Sequence, residues 1–143
     1  MRNFRYSIVT PDGAIAAGEC EFLLVPTADG EIGILANHAP LLCELSFGVL
    51  SIRTAPGEHK DLYVENGYLE VLKNEASIMV AKAFDPSKID RAAIVAEKSE
   101  LEEKRRRFAA EHAYDRLESV KERIKRCDKM LTLKLRPYLP NSH

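Results

Sequence analysis

Apolar positions in the first 84 residues recur at every second residue, in short series. Phe4, Tyr6 and Ile8 form one series; Leu50 with Ile52, Leu62 with Val64, Leu69 with Val71, and Ile78 with Val80 form others. Turn signals fall between them at Pro11-Asp12-Gly13, Asp29-Gly30, Pro56-Gly57 and Lys73-Asn74-Glu75. A period of two, broken by turns every ten residues or so, predicts an antiparallel β-sandwich or barrel. Phe22, Leu24, Leu50, Ile52, Leu69 and Ile78 are its expected core.

The period changes at Phe84-Asp85-Pro86-Ser87. Proline cannot donate to a strand ladder and suits a helix start, with Asp85 or Ser87 available as cap. From Ser87 to Arg136 there are 50 residues without one Gly or Pro, and helix formers dominate. Leu117, Val120, Ile124, Cys127 and Leu131 step by three and four, which makes one apolar stripe. Ile94, Leu101 and Phe108 recur every seven, helped by the small Ala93 and Ala96. A single rod of that length would extend about 75 Å, so the segment is expected to fold back near Ala109 to Ala113. No Gly or Pro marks the break. Two readings stand: a hairpin that opens into a longer rod, and an ordinary antiparallel pair that never opens. The expected organisation is a β-sandwich at 1–84, an antiparallel αα-hairpin at 88–135 and a frayed tail at 136–143.

Composition changes this picture little. The chain has 143 residues, 45% hydrophobic and 30% charged, as in a soluble folded protein. No apolar run approaches the twenty residues of a membrane span, and no direct membrane insertion is expected. The start, MRNFRYSIVT, has neither the apolar core nor the cleavage site of a secretory signal. Cys20, Cys43 and Cys127 read as reduced thiols. Charge distribution is more informative than the net −1. Residues 1–86 carry 6 Lys and Arg against 12 Asp and Glu, and residues 87–143 carry 15 against 10. An acidic front and a basic rear favour self-docking, or two partners of opposite sign. Glutamates interspersed through the basic half argue against nucleic acid.

The chain lacks a phosphate-binding loop, a Cys-x-x-Cys pair, a His-Glu-x-x-His helix motif and a Gly-x-Ser-x-Gly elbow. Its four histidines are scattered, and no metal or other cofactor is expected. His38 and Cys43 are the nearest thing to a nucleophile and base. Cys43 lies in the apolar string Leu41-Leu42-Cys43, where cysteine packs as a small hydrophobe. His38 precedes Ala39-Pro40, and with no third member it reads as a surface loop histidine.

Three stretches, in order, resemble one family. GEIGILANHAPLL (Gly30 to Leu42), with SIVTPDG (Ser7 to Gly13) and GYLEV (Gly67 to Val71), is similar to the epsilon subunit of bacterial-type F-type ATP synthases. The likeness covers roughly two thirds of the chain closely and the helical part in kind. It implies a non-catalytic central-stalk subunit, peripheral on the cytoplasmic face of the membrane. Its partners would be the gamma subunit, the c-ring and the beta subunits. By resemblance Glu31 faces the c-ring and His38 faces gamma. The basic Lys104, Arg105, Arg106 and Arg107, with Arg116, Arg123, Lys125 and Arg126, would face the beta subunits as a brake on ATP hydrolysis. Some members bind ATP through an I/L-D-x-x-R-A motif. Ile89 and Asp90 match it, but Ala93 stands at the arginine, so the phosphate-binding guanidinium is missing. Asn66 replaces a frequent glycine before Gly67 and tolerates the same left-handed backbone. The alternative function is a free-standing helical-hairpin adaptor.

Overall fold

A computed structural model describes residues 2–135. The expected frayed tail at 136–143 lies outside them. Among the described residues are eight strands, in order β1 (Phe4–Thr10), β2 (Gly13–Cys20), β3 (Phe22–Thr27), β4 (Gly30–Leu35), β5 (Leu41–Leu45), β6 (Gly48–Ala55), β7 (Glu58–Leu72) and β8 (Glu75–Phe84). A 3-10 turn at Pro86–Lys88 precedes α1 (Arg91–Ala110) and α2 (Tyr114–Leu135). The chain divides into two compact units, at Asp85 and Pro86.

In the first unit the strand order is β2-β1-β8-β7-β6-β3-β4, with β5 also on β7. The ladders are antiparallel except β1 with β8, which is parallel. β7 pairs with β6 through its first half and with β5 through its second. The change-over falls at Asn66, whose φ is 47°, and Gly67. There the sheet folds over itself, and β2 approaches β6 without sharing a ladder with it. The enclosed face is one apolar cluster that includes Ile8, Cys20, Leu23, Val25, Ile34, Leu50, Ile52, Leu69 and Ile78. This is the expected sandwich. Asn66, left-handed, interrupts the pairing inside a 15-residue strand, and the register is the same on both sides of it.

Leu50, Ile52, Leu69 and Ile78 are fully buried, as expected. Phe22 and Leu24 are not: the inward residues of β3 are Leu23 and Val25. Along a strand the side-chain parity is all that separates the two faces, and Phe22-Leu23-Leu24-Val25 offers apolar residues of both parities. The outward Phe22 instead lies under the Arg53 guanidinium, 5.1 Å from the ring centroid.

The helical unit also follows the predicted stripe. Val120, Ile124 and Cys127 are buried against Leu101, with Ile94 and Phe108 at the edge, and Leu117 is also buried. Ala93 and Ala96 are exposed and add nothing to that contact. The start of α1 corrects the expected cap. After the Pro86–Lys88 turn it is Asp90, in extended conformation, whose side chain accepts from the Ala93 N–H at 3.2 Å.

Candidate functional site

Two of the sandwich turns are built alike. Thr10 and Thr27 each donate a side-chain hydrogen bond to the carbonyl of the glycine three residues on, and each accepts from the backbone N–H two residues on. These closed turns, at Pro11-Asp12 and Ala28-Asp29, hold their polar tips in one shape. Register puts them at the same end of the sandwich. Ser46 N donates to Pro26 O, Leu45 lies opposite Gly67, Gly67 lies opposite Val80, and Val9 is aligned with Met79. Exposed Asp12, Asp29 and Glu31 therefore give that end three carboxylates. Glu31 is the second residue of β4, paired with Pro26.

His38 sits beyond the opposite end of β4. Its N–H donates to Leu35 O at 3.2 Å, and its Nδ1 lies 2.7 Å from Ala39 O. The loop has a distant tether. Asn74 Oδ1 accepts from the Asn37 N–H at 2.7 Å, while Asn74 Nδ2 donates to Asn3 O at 3.1 Å. Cys43 is half-buried in β5, and burial pushes its thiol up from the ordinary range. That is the reverse of an activated thiolate. Cys20, enclosed in the core, is pushed up to about 11, again chiefly by burial.

A second polar group went unread in the sequence. Ser51 Oγ donates to Asp61 Oδ1 at 2.7 Å, and His59 Nε2 lies 3.9 Å from that same oxygen. Asp61 stands between serine and histidine, so the histidine is not placed to take the serine proton, as a hydrolytic triad requires. Among the described residues no group of three or more His, Cys, Asp and Glu is arranged to hold a metal ion.

On the helical unit Lys104, Arg105, Arg106 and Arg107 are exposed on the last turns of α1. Arg105 pairs with Glu102 at 2.7 Å. Arg107 and Arg116 lie over the Phe108 ring from the two helices, 5.1 and 5.9 Å from its centroid. Arg123 reaches Glu97 across the hairpin at 3.4 Å, and Arg126 bonds Glu122 at 3.0 Å. Lys125 is exposed. Of the residues matching the nucleotide motif, Ile89 is buried and Asp90 is spent on capping α1.

The break between the helices falls where it was expected, but its chemistry was not legible. His112 adopts φ 58°. Its N–H donates to Ala109 O and the Ala113 N–H donates to Phe108 O, a pair of bonds that closes a helix through one left-handed residue, usually glycine. An L-residue there costs roughly 1 kcal/mol relative to glycine. His112→Gly is accordingly expected to raise the melting temperature of the helical unit, measured by helical circular dichroism. An unchanged or lower value would show that the contact of His112 Nδ1 with Tyr114 Oη, 3.0 Å apart, offsets the backbone strain.

Comparison with known proteins bears on both units. The family profile described as ATP synthase, Delta/Epsilon chain, beta-sandwich domain matches residues 3–86. The chain is 36% identical over 87 residues to the ATP synthase epsilon chain of Syntrophomonas wolfei, an alignment covering 61% of this chain and 64% of that one. It is 30% identical over 142 residues to ATP synthase epsilon chain 2 of Burkholderia orbicola, covering 97% and 93%. The match thus spans just under two thirds of one relative's length and nearly all of the other's. Among solved structures, a chain of the Euglena gracilis mitochondrial ATP synthase superposes with a TM-score of 0.66 at 20% identity, over 70% of this chain and 64% of that one. At that identity the likeness speaks to the fold.

Proposed function

Because this chain belongs to the ATP synthase delta/epsilon family, we propose that it is a non-catalytic epsilon subunit of the central stalk, coupling c-ring rotation to the catalytic head through gamma. The observation that carries the reading is the placement of Glu31 and His38 at the two ends of β4. At about 3.4 Å per residue, roughly 14 Å of extended chain runs from Glu31 to Leu35, where the turn that carries His38 begins. A hydrogen-bonded sheet between them transmits force with little give. The acidic end, with Asp12, Asp29 and Glu31, meets the polar loops of the c-ring; the His38 loop meets gamma. The assembly is peripheral, on the cytoplasmic face of the membrane. Among the described residues no helix is long and apolar enough to cross a bilayer.

The hairpin, residues 88–135, is the regulatory part of this proposal. Extended alongside gamma it obstructs ATP hydrolysis, and folded it permits turnover. Exposed Lys104, Arg106 and Arg107 steer it toward acidic surface on the beta subunits, with the salt dependence such steering carries. Ile89 and Asp90 have no nucleotide role in it, since their side chains are already used in packing and capping.

Reconstitution tests both parts. The sandwich core is drawn wholly from residues 4–83, so a chain ending after Phe84 retains it. Added to an ATPase core containing gamma, the full and shortened chains should both bind, and only the full chain should slow hydrolysis. Equal inhibition by the two ends the proposal for the hairpin. Failure of both to bind gamma ends the proposal as a whole and leaves the adaptor reading.

A further inference from the structure

Asn74 joins three segments far apart in sequence. Lys73 and Asn74, with φ 50° and 62°, form the two-residue link between the paired Leu72 and Glu75 of β7 and β8. Left-handed φ at both central residues is the geometry that suits a tight hairpin, and glycine or asparagine best adopts it. The turn alone would be served by glycine. Asparagine adds both ends of its amide. Oδ1 takes the Asn37 N–H, 37 residues away, and Nδ2 gives a bond to Asn3 O, 71 residues away. Its own carbonyl also accepts from Arg5 N at 3.2 Å.

Asn37 is the residue that turns the chain after β4, with φ 63°, and it directly precedes His38. The other bonds shown for His38 are local, to Leu35 and Ala39. The bond from Asn74 fixes this five-residue link to the body of the sheet. Three leucines near the link are exposed: Leu35, Leu42 and Leu72, at 55%, 69% and 46%. Leu35 precedes the link, Leu42 is the second residue after it, and Leu72 pairs with Glu75 across the Asn74 turn. An ordered loop with an apolar rim is the form a protein interface takes, because its ordering entropy is already lost before binding.

We propose that Asn74 is a positioning residue for the gamma-facing surface, holding the Asn37–His38 loop in its binding shape through one amide side chain. The inference rests on the assignment of His38 to gamma. It touches no partner itself; its effect passes through the Asn37 N–H.

The full chain and isolated gamma test it. Asn74→Gly keeps the left-handed turn and removes both side-chain bonds. Asn74→Asp keeps an acceptor for Asn37 and removes the donor to Asn3. The glycine variant should bind gamma roughly fivefold more weakly, the loss of about one hydrogen bond's worth of order. In it the Asn37 amide should exchange with deuterium faster. The aspartate variant should bind within about twofold of the parent and keep that amide protected. Parent-like binding by Asn74→Gly overturns the inference. So does equal weakening in both variants, which would assign the effect to the Asn3 bond. His38→Ala separates the layers: if it binds gamma as the parent does, or the parent does not bind, the assignment of His38 fails first and the inference falls with it.

Discussion

Replacing Gly67 with alanine is expected to destabilise the folded sandwich severely. A Cβ built on Gly67 would lie 1.9 Å from Met79 O, 2.7 Å from Val80 Cα and 2.8 Å from Met79 C. All three atoms are backbone of the neighbouring β8, so no rotamer change clears them. Relief requires the β7–β8 ladder to part where Gly67 faces Val80 and Tyr68 faces Met79. That same position is where β7 passes from β6 to β5. Overpacking against movable side chains costs about 1–3 kcal/mol, and occasionally more. Against fixed backbone the cost should reach or exceed the upper end of that range. Small domains have only about 5–15 kcal/mol in total. The expected readout is a markedly lowered thermal transition and, under the proposed function, weakened gamma binding alongside it. A variant melting within a few degrees of the parent would show that the two strands can separate locally at little cost.

Leu101→Ala should have the next largest effect, confined to the helical unit. The buried contact between the helices consists of Leu101, Val120, Ile124 and Cys127, with Ile94 and Phe108 partly covered. Leu101 is the only fully buried residue of α1. Truncating a buried leucine costs about 2–5 kcal/mol. The ion pairs bridging the helices, Lys98 with Asp128 and Arg123 with Glu97, lie at the surface, where each contributes at most about 1 kcal/mol. Helical circular dichroism should melt well ahead of the strand signal. Under the proposed function, weakening the folded hairpin shifts it toward the extended arrangement, so hydrolysis should be more strongly restrained. Coincident melting of both signals at the parent's temperature would show that the hairpin does not depend on this contact.

The sequence made the two-part organisation legible because each half repeats one period. The α2 stripe could be read residue by residue, since charged residues fill the positions between its apolar ones. Positions without such contrast misled. The unbroken run Phe22 to Val25 hides its own register. Asp85, Ser87 and Asp90 are chemically equal caps, and only the intervening 3-10 turn selects Asp90. Asn66-Gly67 and Lys73-Asn74 look alike as turn signals, yet one lies within a continuous strand and the other is a hairpin link. The family resemblance supplied Glu31 and His38 as candidates. The groups that tether or strain their surroundings, Asn74 and His112, carried no visible mark, since one acts over 37 residues and the other replaces an expected glycine. Nor was the ion pair of buried Glu21 with Arg53, at 3.3 Å, announced by anything along the chain.

The parallel ladder of β1 and β8 has a consequence for how the molecule is made. Arg5 aligns with Glu75 and Val9 with Met79, so the opening strand waits for its inner neighbour until nearly the whole block has left the ribosome. Hairpins such as β3 with β4 close early, because their partners emerge together. That ladder joins residues 70 apart, as Arg5 with Glu75, and the loop entropy of such joining grows only slowly with length. Until then β1 carries one bare edge. The helices, whose contacts are local, follow β8 in the chain.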